Sequence, residues 1–190
     1  MKKFVSFLLV LVMVAAMAAG CANEKPAETT TEPAVVVPAS ALEILETIWA
    51  QYGDDEKFFT IGGDFGNPVD NAPGNYSLED EGITTLLYVP ADQLANIDQA
   101  ASMIHMMNAN TFTSACYELT EGADSAAFVQ SVKENILSRQ WMCGFPEILI
   151  IVEVDGCIVS AFGNGEVVQL FKDKLEASFS CTTLVEEPIA

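Results

Sequence analysis

Five cysteines and one histidine set the limits of nucleophilic and metal chemistry in this 190-residue chain. The most suggestive thiol is Cys143, inside "RQWMCGFPE" (residues 139–147). A tryptophan two residues before the cysteine, a glycine after it and Pro146 beyond form a neighbourhood that thiol-redox sites favour. A reactive thiol needs its anion stabilised by a helix N-terminus or a nearby cation. Cys143 instead follows a predicted helix, where the dipole opposes a thiolate. Arg139 acts the other way. The alternative is structural: Gly144 closes the helix in a left-handed cap, and Trp141 and Phe145 pack down.

The remaining thiols are Cys21, Cys116, Cys157 and Cys181. With Cys21 set aside, Cys143 and the other three cysteines allow three complete pairings. No C-x-x-C occurs, and zinc sites usually show close pairs, so no metal is assigned. Cys116 and Cys157 fall in predicted strands and read as buried apolar thiols.

His105, in "SMIHMM" (residues 102–107), is the only histidine, so any Ser-His or Cys-His catalysis must use it. No G-x-S-x-G accompanies it. Met103, Met106 and Met107 beside it could hold Cu(I) through thioethers. On a helix, however, His105 points away from the face shared by Met103 and Met107, and core methionines are the simpler reading. "DNAPGNYSLEDE" (residues 70–81) invites a calcium reading through Asp64, Asp70, Glu79 and Asp80. Ala72 and Gly74 stand where an EF-hand loop needs side-chain oxygens. "GNG" (residues 163–165) lacks the third glycine of a dinucleotide loop and reads as a turn and cap. No cofactor is expected.

The N-terminus points to export, through a lipoprotein signal or an ordinary signal peptide cleaved near Ala19. Lys2 and Lys3 precede an uncharged apolar run, residues 4–18, and then "AAGC". These are the three parts of a secretory signal peptide. The ending on a cysteine resembles a bacterial lipobox, although Ala18 stands where leucine is usual. The resemblance implies a signal peptide over residues 1–20, cleavage before Cys21, a lipid on its sulfur and anchoring on the extracytoplasmic face. Residues 21–40 hold three prolines, three consecutive threonines and few large apolar residues. Such a segment cannot bury enough surface to order itself and reads as a tether.

A single domain is expected over residues 41–180, with an acidic, loose tail at 181–190. The chain carries a net charge of −19, and the signal segment holds two of its eight basic residues but none of its 27 acids. That field repels nucleic acid, which is excluded as a partner, and anionic lipid.

Within the domain, "SALE" (residues 40–43) is a capping box opening a helix with Leu45, Ile48, Trp49 and Tyr52 at helical spacing. Residues 54–82 are dense in turn formers, with Phe58, Phe59, Phe65 and Tyr76 expected to pin the loop. "ITTLLYV" (residues 83–89) reads as a strand. Pro90 opens a helix to about Met107, with Leu94, Ile97, Ala101 and Ile104 on one stripe. Residues 111–119 read as a strand, and Asp124 caps a helix carrying Phe128, Val132 and Ile136. "EILIIVEV", the Asp155-Gly156 turn and "CIVSAFG" form a hairpin, followed by a last helix. The expected order is α-β-α-β-α-β-β-α. The class is α+β (α/β), a single mixed sheet of about four strands with packed helices, thioredoxin-like or ferredoxin-like.

Residues 144–175 resemble the second half of a thioredoxin, where a cis proline precedes a buried strand. That resemblance marks Pro146 as a cis-proline candidate and Cys143 as a redox thiol. The family's C-x-x-C position reads "VPADQ" (residues 89–93) and holds no cysteine, which removes the dithiol chemistry. The whole layout, with lipobox, tether, "ALEILETIW" and "NILSRQWMC", resembles small exported lipoproteins of Firmicutes, often labelled bacteriocin transport accessory protein. That resemblance implies location and fold. The functional expectation is a membrane-anchored, non-catalytic binding or accessory module for an unknown protein or small molecule. The alternative is a thiol-redox accessory protein using Cys143.

Overall fold

The structure is a computed structural model that describes residues 39–107, 111–142 and 144–189. The predicted signal peptide, Cys21, nearly all of the tether and Cys143 lie outside the described residues.

Ser40 opens the domain as expected. Its side-chain oxygen accepts from the Glu43 amide, and the Glu43 carboxylate accepts from the Ser40 amide. This closed capping box starts α1 (Ala41–Ala50), which buries Ala41, Ile44, Leu45, Ile48 and Trp49 along one stripe.

The segment expected to be irregular contains three short strands: β1 (Thr60–Gly62), β2 (Val69–Asp70) and β3 (Gly74–Tyr76). Glycine makes their crossing possible. A Cβ on Gly62 would lie 2.2 Å from the Gly74 nitrogen, so no other residue fits there. Tyr76 is buried and Phe58 packs against the core, but Phe59 and Phe65 are exposed rather than pinned.

Two further expectations are overturned nearby. "ITTLLYV" is not a strand. It supplies the short helix α2 (Gly82–Thr85) and an irregular stretch that buries Leu87 and Val89. Residues 90–107 are not a helix. A 3₁₀ turn (Ala91–Asn96) leads into β4 (Ile97–His105). The four consecutive residues 100–103 are buried, because both faces of β4 are covered. A strand buried on both sides loses its period of two, and its apolar residues then fit a helical stripe equally well.

β5 (Phe112–Leu119), α3 (Ser125–Leu137), β6 (Ile148–Val154), β7 (Cys157–Gly163) and α4 (Gly165–Ser178) follow the expected order. Asp124 caps α3 through the Ala127 amide, and Asn164 caps α4. Asp155 and Gly156 both take positive φ, 48° and 84°, as a tight two-residue hairpin requires. The predicted loose tail is instead β8 (Cys181–Pro188), which pairs along the whole of β6. It buries Val185 and sets Glu186 and Glu187 against Lys172 and Lys133.

The result is one eight-stranded sheet in the order β2-β1-β4-β5-β7-β6-β8, with β3 also on β4, and every pairing is antiparallel. The α+β class is compatible with this, but the mixed four-stranded sheet of thioredoxin-like or ferredoxin-like type is not. The difference arises because β4 has the apolar spacing of a helix and β8 the composition of a tail, which makes hairpin partners look like crossovers. α1 and α4 cover one face through Ile44, Ile48, Val168 and Phe171. α3 and the 83–89 segment cover the other through Phe128, Val132, Ile83 and Leu87. The sheet is therefore the middle of three layers.

Candidate functional site

The strand registers define two ends of this sheet. At one end Ile97 faces Leu119, Glu118 faces Cys157, and Val154 faces Cys181. The chain enters the domain there, because the Cys157 thiol lies 3.8 Å from the Ala39 carbonyl oxygen that accepts from it. At the other end are His105, Phe112, Gly163, Ile148 and Pro188. β4 spans nine residues, so the two ends lie about 30 Å apart.

The far end gathers most of the exposed large apolar side chains. Phe59 is 71% exposed, Met106 57%, Met107 55%, Met142 89% and Phe145 72%. The other three lie elsewhere: Phe65, 61% exposed, beside Gly82, and Val69 and Leu184 along the edge strands β2 and β8. Isolated exposed apolar residues are ordinary, but a cluster at one end of a sheet marks an interaction surface.

Two depressions carry these side chains. The first is a cleft of about 790 Å³ between the segment after α3 and the end of β8. Trp141, Met142, Phe145, Pro146 and Ile189 form its apolar wall. The Arg139 guanidinium at its rim stacks 3.9 Å from the Tyr88 ring centroid. Tyr88 meets Trp141 edge-on at 5.4 Å, and its carbonyl accepts from the Asn135 side chain at 2.6 Å. These contacts hold Tyr88 at a φ of 57°, a left-handed conformation unusual for a bulky residue. Glu147 accepts from the Gly165 amide at 2.8 Å, which couples the cleft to the start of α4.

The second depression runs beside β1 as two adjoining hollows of about 390 and 310 Å³ that share Phe59 and Asn71. Met106 and Met107 line one, and Trp49, Lys57 and Phe58 the other. The Met106 amide donates to the Phe59 carbonyl at 2.9 Å, which brings the two exposed side chains onto neighbouring strands. Trp49 is fixed by its indole N–H, which donates to the Asn71 carbonyl at 3.1 Å, and Lys57 lies over its ring.

The predicted site residues fare unequally. Cys21 and Cys143 lie outside the described residues. There is no cis peptide bond among the described residues, so Pro146 is trans. α3 ends at Leu137, so Gly144, although left-handed at φ 65°, is not its cap. Trp141 packs against Phe162 as expected, whereas Phe145 faces solvent. Cys116, Cys157 and Cys181 are free thiols, and burial pushes the Cys116 thiol well up.

His105 stacks on Phe58 with ring centroids 4.5 Å apart, and its Nδ1 accepts from the Met107 amide at 3.0 Å. Burial lowers its pKa. With β4 a strand, Met103 is fully buried while Met106 and Met107 reach the surface, so the three thioethers do not converge. Asp64, read as a calcium ligand, is spent on its own loop. One carboxylate oxygen accepts from the Gly66 and Asn67 amides at 2.8 Å each, the other from the Ser77 amide at 3.1 Å. Burial raises its pKa, but these bonds outweigh burial and hold the carboxyl below the ordinary range. Asp80 likewise accepts from the Gly82 amide and the Tyr76 hydroxyl. Among the described residues no three His, Cys, Asp or Glu side chains cluster as metal ligands.

The chain matches no protein-family model, no curated protein and no solved structure. The functional reading therefore rests on the geometry of the far end. The sequence concealed that end: "MIHMM" has the spacing of a buried helix, and Phe59 differs in no local way from Phe58.

Proposed function

We propose that this protein is a lipid-anchored, extracytoplasmic accessory module that binds a partner through the end of its sheet opposite the tether. The lipid on Cys21 would hold it to the membrane, and residues 21–40 would carry the domain clear of the surface. A tether of that composition spans up to about 3.1 Å per residue when extended.

One observation carries the binding reading: five large apolar side chains are exposed in two depressions at the end of the sheet farthest from Ala39. Leaving them in water forgoes about 1.5–3 kcal/mol per side chain relative to full burial. An apolar wall with a few fixed polar groups, such as Arg139 and Asn71, is the usual composition of a recognition surface.

The test is photo-cross-linking in the cell that makes the protein. A benzophenone amino acid replaces Phe59 or Phe145, and in a control replaces Asp155 at the entry end. Discrete adducts of constant mass at 59 or 145, absent at 155, support the module. Equal labelling at all three positions, or none, removes it. Anchoring is tested separately by labelling with radioactive palmitate, which Cys21→Ser should abolish.

A further inference from the structure

We propose that the groove beside β1 is the docking site for a cationic amphipathic peptide segment of another exported protein or peptide. The inference rests on the binding-module reading above and names the partner's chemistry. Phe59, Met106 and Met107 form an exposed apolar strip, and Asn71 and Lys57 mark the groove's polar edge. Two unbranched, polarisable methionines flanking a phenylalanine suit an apolar helix or strand face without demanding one sequence.

Charge selects among possible occupants. The chain carries −19, and three of the five Lys and Arg side chains among the described residues are paired with carboxylates. Lys133 pairs with Glu187, Lys172 with Glu176 and Glu186, and Lys174 with Glu56, while Lys57 and Arg139 lie over aromatic rings. Asp70, an exposed carboxylate, lines the groove itself. A second copy of this chain or an anionic bilayer would meet like charge, whereas a basic peptide meets opposite charge. The groove also sits at the end of the sheet farthest from where the tether joins, which suits a partner approaching from outside the membrane.

The chain contains two tryptophans, one in each depression: Trp49 at the groove and Trp141 at the cleft. The mature chain carrying Cys21→Ser is labelled with 5-fluorotryptophan, and the two ¹⁹F resonances are assigned with Trp141→Phe. A synthetic amphipathic Leu/Lys peptide is expected to shift the Trp49 resonance saturably. Its Leu/Glu counterpart should not, and salt should weaken the effect. Phe59→Ser with Met107→Ser, both at exposed positions, should weaken binding by about tenfold or more. Equal shifts with Leu/Glu peptide overturn the charge argument. A Trp49 shift on zwitterionic phosphatidylcholine vesicles makes the groove a lipid-facing surface and overturns the proposal. A shift of Trp141 alone overturns the groove but leaves the binding module standing. If neither resonance moves, the peptide proposal fails, and the cross-linking result then decides the module.

Discussion

Phe58 and His105 lie face to face, with ring centroids 4.5 Å apart and planes 10° from parallel. The stack roofs the α1 side of the sheet, where Phe58 also meets Trp49, Tyr52 and Phe112. Burial there disfavours the imidazolium, so the folded protein holds His105 at a lower pKa than the unfolded chain does. The unfolded state therefore binds more protons, and stability falls as pH drops from about 6.5 through the lowered folded value. Urea unfolding of the native chain and His105→Gln at pH 7.5 and 5.5 should show a smaller acid loss in the variant. Equal losses would mean that His105 contributes nothing in this range.

Asp64 governs the loop joining β1 to β2 and ties it to Ser77 after β3. Asp64→Ala leaves the Gly66, Asn67 and Ser77 amides without their acceptor and should cost about 2–3 kcal/mol in chemical denaturation. Asp64→Asn keeps one acceptor oxygen and should cost less. The native carboxyl titrates below its unfolded value. Its contribution is therefore complete above about pH 4 and lost as pH falls through the lower folded pKa. A loss as large in Asn as in Ala would show that the second oxygen carries the loop.

β8 gives a sharp contrast between a strand and a loose tail. Val185 is 8% exposed and packs with Ile151, its partner in register on β6. Val185→Ala should cost about 1–2 kcal/mol. Ending the chain at Ser180 should lower the melting temperature well beyond that, since it removes an entire strand and the partners of Lys133 and Lys172. An unchanged melting temperature after truncation would mean that residues 181–190 contribute no structure.

These contrasts show which parts of the fold were legible. α1, α3, α4 and the β6–β7 hairpin carry their own local signals: a capping box, Asp124, Asn164 and the Asp155-Gly156 turn. β4 does not, because residues 100–103 are buried on both faces and the alternation that marks a strand is lost. β8 was masked by its acids, whose counter-charges Lys133 and Lys172 come from helices 54 and 14 residues away along the chain. Once those two strands were missing, the antiparallel sheet could not be inferred. The recognition end was illegible for the same reason. Only tertiary structure sets Phe59 beside Met106, and only the register places both at the end opposite Ala39.

The claim that this end is an open recognition surface is tested most directly through its methionines. Beyond residue 20 the sequence has four, of which Met103 is fully buried and Met106, Met107 and Met142 are exposed. With ¹³C-labelled methionine methyl groups, each gives one resonance. On adding the Leu/Lys peptide, Met106 and Met107 should shift saturably while Met103 stays fixed. Unchanged Met106 and Met107 resonances, or a Met103 that moves with them, would contradict it.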